Sequence, residues 1–163
     1  MKKKLLLGLF FAVILIIFVF LWMRYFYLKP EFDSSNLDSE GEKYIVENIK
    51  LRVNEEELII RLEDNSSSRA FVEKLKEGEL SIEAHDYGNF EKVGDLGFSL
   101  PTNDRRITTS PGDLILYQGN QITLYYDVNT WSFTKLGEVV GKNQDELKGL
   151  LGKGNVTFVF FIP

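Results

Sequence analysis

The chain has 163 residues, of which 19 are basic, 24 acidic, one histidine and none cysteine, and 44% are hydrophobic. That length and balance fit one folded domain plus an appendage. The missing cysteine excludes disulfides, thiolate nucleophiles, thiolate metal sites and a lipid-modified N-terminal cysteine.

Charge is unevenly placed. Five of the 19 basic residues and no acid fall in the first 30 positions, so 14 basic residues face all 24 acids over residues 31–163, about −10 in formal charge. A field of that sign repels phosphate backbones, which argues against nucleic acid as a partner. With His85 as the single histidine, a multi-histidine metal site or a histidine relay lacks its parts. No metal and no cofactor are expected.

Leu5 to Met23, "LLLGLFFAVILIIFVFLWM", is free of charge. As a helix it would span ~28 Å, close to the ~30 Å of hydrocarbon in a bilayer. Lys2, Lys3 and Lys4 precede it, and Trp22, Tyr25, Phe26 and Tyr27 stand at the far edge as an interfacial belt. A cleaved signal peptide would have an apolar core of ~7–15 residues ending at a small-x-small site. Here the core is longer and "WMRYFYLKP" is bulky, so the run reads as an uncleaved transmembrane helix over 5–23. The positive-inside rule keeps residues 1–4 in the cytoplasm. The expected product is a single-pass protein of the cytoplasmic membrane with its domain on the extracytoplasmic side; Arg24 and Lys29 pull weakly the other way. Residues 24–43 read as a juxtamembrane linker, because "PEFDSSNLDSEGEK" is acidic and unpatterned.

From residue 44 onward the apolar period is two. In "NIKLRV" Ile49, Leu51 and Val53 share a face, and in "LIIRLED" Leu58, Ile60 and Leu62 do, which predicts a β-hairpin. "NSSSRAFVEKLKEG" predicts a helix capped by Asn65 or a neighbouring serine, with Phe71, Val72 and Leu75 inward and Gly78 as its stop. "ELSIEAHDYG" returns to alternation, and "NFEKVGDLGFSLP" reads as short strands broken by glycines. "GDLILYQ" and "QITLYYD" form the strongest strand pair, joined by Gly119-Asn120. "LPTNDRRITTSP" before them reads as a long connecting loop. "WSFTKLGEVV" is a further strand, "KNQDELKGLLGKG" a second helix with Leu147, Leu150 and Leu151 on one side, and "NVTFVFFIP" a last apolar strand that must be paired. About eight short strands with two helices predict a mainly β domain over 44–163, a closed eight-stranded barrel with helices at its ends.

The helix "SRAFVEKL", then "LSIEAHDYGNFEKVGDLGFSLP", "GDLILYQGNQITLYYDVNTWSFTKLGEV" and "LGKGNVTFVFF" together resemble the bacterial cyclophilin-like domain family over about residues 46–162. Trp131, Ser132, Phe133 and Thr134 ahead of Lys135-Leu136-Gly137, and Gly112-Asp113 opening a strand pair, carry the resemblance. It implies an eight-stranded cyclophilin-like barrel and says little about activity. True cyclophilins are prolyl isomerases with a Phe-His-Arg strand and a Gln-Gly-Gly segment. Here His85 is followed by Asp86, and "YQGNQ" at 117–121 is a loose echo that a Gly-Asn turn explains better.

No catalytic residue emerges. Arg105 and Arg106 could grip a peptide carbonyl or carboxylate, although loop solubility accounts for them more simply. Arg52 and Arg61 fall on outward faces, and Arg69 in the first turn of a helix. Tyr117, Tyr125, Tyr126, Trp131 and Phe133 lie within 17 residues, and alternation puts Tyr125 and Tyr126 on opposite faces, so one of them points out. The candidate ligand-binding set is Arg105, Arg106, Tyr117, Tyr125 and Trp131. The leading reading is a membrane-anchored, non-catalytic module binding a peptide or protein segment. The alternatives are an extracytoplasmic prolyl isomerase or folding factor, and a structural subunit of an envelope complex.

Overall fold

The computed structural model describes residues 47–152 and 154–163. The expected transmembrane helix over 5–23 and the linker over 24–43 lie outside the described residues. Among the described residues no helix is long and apolar enough to cross a membrane.

The first hairpin forms where the alternation places it. β1 (Asn48–Val53) pairs antiparallel with β2 (Glu56–Leu62), and Ile49, Leu51, Val53 and Ile60 are fully buried. The helix α1 (Ser66–Leu75) is capped by Asn65, whose side chain accepts from the Ser68 amide. Its apolar stripe is Phe71, Val72 and Leu75, and Phe71 meets Phe160 edge-on with ring centroids 5.4 Å apart. The helix ends three residues before Gly78. β3 (Leu80–Tyr87) and β4 (Glu91–Asp95) form a second hairpin whose turn uses Gly88 and Asn89 at φ 61° and 59°, the left-handed pair a tight two-residue turn needs. "NFEKVGDLGFSLP" thus contributes one strand, and its remainder is a loop that buries Leu96 and Leu100.

β6 (Asp113–Tyr117) and β7 (Gln121–Tyr125) pair around Gln118 and Gly119, both at positive φ. β8 (Thr130–Val139), α2 (Gln144–Leu151) and β9 (Val156–Phe161) complete the chain. Asn143 and Glu146 form a reciprocal capping box on α2, and Leu147 and Leu151 enter the core with Leu150 packed against it.

Eight strands close into a barrel in the order β2-β1-β9-β3-β4-β7-β6-β8, with β8 returning to β2. The closing seam is short, Ile60↔Val139, Arg61↔Glu138 and Leu62↔Gly137. Gly137 makes it possible, because a Cβ there would collide with the Arg61 carbonyl oxygen. α1 follows the end of β2 and α2 the end of β8, so the helices cap opposite ends of the barrel.

The motifs that carry the family resemblance meet across β6 and β8. The Lys135 ammonium lies 2.9 Å from both Asp113 Oδ1 and Glu138 Oε2, and Asp113 Oδ2 accepts from the Ser110 amide at 2.8 Å. Burial alone would lower the Lys135 pKa, but Asp113 and Glu138 outweigh it and raise it.

One expectation is corrected. Arg105 and Arg106 do not sit in a loop: they open a ninth strand, β5 (Arg105–Thr108), paired with β8 as Arg105↔Phe133, Arg106↔Ser132, Ile107↔Trp131 and Thr108↔Thr130. β8 therefore has two parts. Residues 134–139 belong to the barrel wall, and residues 130–133 pair with β5 as a two-stranded arm. β5 escapes periodicity because three of its four residues are exposed and only Ile107 is half-buried, so no apolar alternation marks it.

Candidate binding site

The outer wall of the barrel carries a second hydrophobic cluster, separate from the main core. Ile115, Tyr125 and Phe133 form it, with Phe90, Ile107 and Tyr117 packed against it. Strand alternation creates it. Leu114, Leu116, Ile122 and Leu124 point into the barrel, which sends Ile115, Thr123 and Tyr125 outward. The arm supplies Phe133 and Ile107, so these outward apolar side chains lie beneath a covering layer.

Between wall and arm lies a cavity of about 350 Å³, within the range of small-ligand sites. Its floor is built in rows by cross-strand register. Tyr87, Glu91 and Tyr125 stand opposite one another on β3, β4 and β7; His85, Val93 and Thr123 form the next row; Gln121 and Tyr117 the last. The arm adds Asn129, Trp131 and Phe133. Asn129 is held in place, since its amide donates to Thr109 Oγ1 at 2.9 Å and its carbonyl accepts from the Thr109 amide at 2.8 Å.

The walls are aromatic and connected. Tyr87 meets Phe90 edge-on at 5.9 Å, Phe90 stacks on Tyr125 at 6.1 Å, Tyr125 tilts against Phe133 at 5.7 Å, and Phe133 meets Tyr117 at 6.1 Å. Tyr125 is 1% exposed and Phe133 4%, whereas Trp131 is 56% and Tyr87 59% exposed. The buried rings set the shape, and the exposed rings flank the mouth.

The charged group in this cavity is Glu91. It is 8% exposed, and its Oε2 has no hydrogen-bond partner among the described residues. Burial raises its pKa, and the Tyr125 hydroxyl beside it offsets part of that rise. Burial also pushes the Tyr125 hydroxyl well above the usual phenol range, with Glu91 adding to the effect, so Tyr125 remains a donor at neutral pH.

Of the five residues singled out from sequence, the structure gathers Tyr117, Tyr125 and Trp131 into this cavity. Arg105 and Arg106 are not among its lining residues; both are exposed and make no ion pair among the described residues. Cross-strand pairing puts Arg105 on the same arm face as Phe133, and Arg106 on the opposite face. Of Tyr125 and Tyr126, Tyr125 takes the outer face, under the arm, while Tyr126 donates to Asp86 on the other side of the sheet. Arg52, Arg61 and Arg69 pair with Glu79, Glu138 and Asp64 at the surface.

Eight of the eleven lining residues escaped the candidate set, His85 and Glu91 among them. His85, read from the sequence only as a lone histidine without the partners of a relay, stands exposed on the outer face of β3. Glu91 left no apolar signature, though its alternation partner Val93 and its position after the Gly88-Asn89 turn would have put it on the outer face. Among the described residues no group of three or more histidine or acidic side chains is arranged to hold a metal ion.

The sequence model of the cyclophilin-like family matches residues 51–160. No curated protein matches the chain. A solved structure with a similar fold is the solution structure of a hypothetical protein from Archaeoglobus fulgidus, with a TM-score of 0.54 at 14% sequence identity, covering 73% of this chain and 97% of that one. At that identity the likeness concerns the fold alone.

Proposed function

The chain belongs to the cyclophilin-like family, and from that premise we propose that it is a non-catalytic module that binds a peptide or protein segment in the outer cavity. The observation that carries this reading is the lining: aromatic walls around a buried carboxyl, with no guanidinium among the lining residues. Prolyl isomerisation in true cyclophilins relies on an arginine that donates toward the prolyl amide nitrogen. The groups present suit recognition instead. Rigid rings bury area at low entropic cost, and Asn129, Thr123 and Gln121 offer hydrogen bonds to backbone amides.

In this reading the Leu5–Met23 run holds the module at the cytoplasmic membrane and presents the cavity on the extracytoplasmic side. The surplus of acids over residues 31–163 then selects neutral or cationic segments.

The test uses the full chain in zwitterionic nanodiscs, with a proline-containing reporter peptide for isomerisation and calorimetry for binding. Peptide binding with no rate gain over the uncatalysed reaction is the expected result. A clear rate gain abolished by Arg105→Ala would overturn it in favour of the isomerase, since Arg105 alone of the pair shares the cavity-side face of the arm.

A further inference from the structure

We infer that the cavity is a receptor for an alkylammonium group, the side chain of a lysine in the bound segment, with Glu91 as its counter-ion and the aromatic walls as its sleeve. The inference rests on the peptide-binding reading above and names what that peptide must carry.

Three observations converge. First, Glu91 is buried with Oε2 unpartnered, and a buried carboxylate without a partner is costly unless something completes it. None of the lysines or arginines of the described residues lines the cavity. Neighbouring Lys92 projects from the other side of the sheet to Asp86. Among the described residues nothing supplies the complement. Second, the walls suit a cation on a hydrocarbon stem. Methylenes would lie along Tyr117 and Tyr87, the more open rings of the lining, and an ammonium gains from ring quadrupoles, most from the indole of Trp131 at the mouth. Third, the long-range field is favourable: about −10 in formal charge over residues 31–163 draws cations in.

Charge shape also separates lysine from arginine. The Glu91 oxygen that is buried without a hydrogen-bond partner among the described residues is Oε2 alone. A guanidinium fork uses both oxygens of a carboxylate, whereas an ammonium is a point charge that one oxygen satisfies. His85, Tyr87, Tyr117 and Tyr125 are the other titratable groups facing the cavity.

Calorimetry on the full chain in zwitterionic nanodiscs tests this with blocked pentapeptides of glycine whose central residue is lysine, norleucine, proline or arginine, and with free n-butylammonium. The lysine peptide should bind at least about tenfold tighter than the norleucine peptide, and Glu91→Gln should erase that margin. Trp131→Leu, at an exposed position, should weaken lysine binding about three- to fivefold and leave norleucine binding nearly unchanged. A norleucine, proline or arginine peptide that binds as tightly as the lysine peptide overturns the ammonium inference and leaves the peptide-binding reading standing. Butylammonium binding as tightly as the lysine peptide keeps the ammonium site and overturns the peptide. No binding by any probe at millimolar concentration overturns both.

Discussion

Glu91 and Lys92 are consecutive residues of β4, both withdrawn from solvent, and they lead opposite lives. Lys92 is fully buried on the inner face, yet its ammonium lies 2.9 Å from Asp86 Oδ1 and donates to the Gly154 carbonyl at 2.7 Å. Tyr126 donates to the same Asp86 oxygen, completing a network in which every charge has a partner. Burial alone would raise the Asp86 pKa, but Tyr126 and Lys92 outweigh it and hold it down. Glu91, one residue earlier and facing outward, has burial without completion. A charge that the fold itself satisfies reads as architecture; one that the fold buries and leaves open reads as a place for something else.

The sharpest way to break the contrast is to orphan Lys92 as well. Asp86→Ala removes the counter-ion and leaves the buried ammonium with the Gly154 carbonyl as its hydrogen-bond partner. We expect a loss of ~3–5 kcal/mol in thermal or denaturant unfolding, because half of a buried pair costs more than the pair contributes. Lys92→Met removes the buried charge instead and leaves Asp86, whose side chain is 24% exposed and still has Tyr126; its cost should be smaller, ~1–2 kcal/mol. Equal costs would show that Lys92 reaches water more readily than its burial implies.

How far the sequence discloses these two environments follows from what periodicity can see. The barrel strands were readable because one face of each is apolar and the other is not, as in Ile49-Leu51-Val53 and Leu58-Ile60. The cap of α1 was readable from local chemistry at Asn65. The arm was hidden because β5 buries almost nothing, and its partner half of β8, Thr130–Phe133, is mostly exposed too. Without the arm, alternation said only that one of Tyr125 and Tyr126 points outward, and the cavity over Tyr125 had no roof. Glu91 was hidden for a different reason. A carboxylate in an alternating strand is assumed to be solvated, and only the third dimension reveals that the arm and Tyr125 enclose it. Tyr117, Tyr125 and Trp131 were picked out as a group by aromatic density, which survives folding because rings cluster with rings.

The second prediction concerns the stability cost of leaving Glu91 open. Its folded pKa is raised, so its contribution to stability is fully present at acid pH and is lost as pH rises through that raised value. Glu91→Gln removes this loss. The variant should be more stable than the parent by about 1 kcal/mol at neutral pH, and the difference should vanish below about pH 4, where the parent carboxyl is protonated too. Asp86 and Glu138 titrate in the opposite sense, held below their usual range, and destabilise both proteins alike as pH falls. Only the difference between variant and parent isolates Glu91. A variant less stable than the parent at neutral pH would mean that the carboxylate is satisfied after all.

The smallest expected effect on stability is also the most discriminating for function. Trp131 and Phe133 project from the same face of the arm, two residues apart, yet Phe133 is 4% exposed and Trp131 56%. Phe133 contacts Tyr117 and Tyr125 and belongs to the second cluster, whereas Trp131 leaves more than half its surface in water. Trp131→Leu should therefore change unfolding free energy by no more than ~0.5 kcal/mol, the scale of surface substitutions, while lowering peptide affinity. Phe133→Leu should cost ~1–1.5 kcal/mol by loosening the arm against the wall. A large exposed indole beside an aromatic cavity contributes little to folding, and so its presence there is better explained by what it contacts when the cavity is filled. A Trp131→Leu protein that unfolds as readily as the Phe133→Leu protein would place both rings in the same structural role and remove that argument.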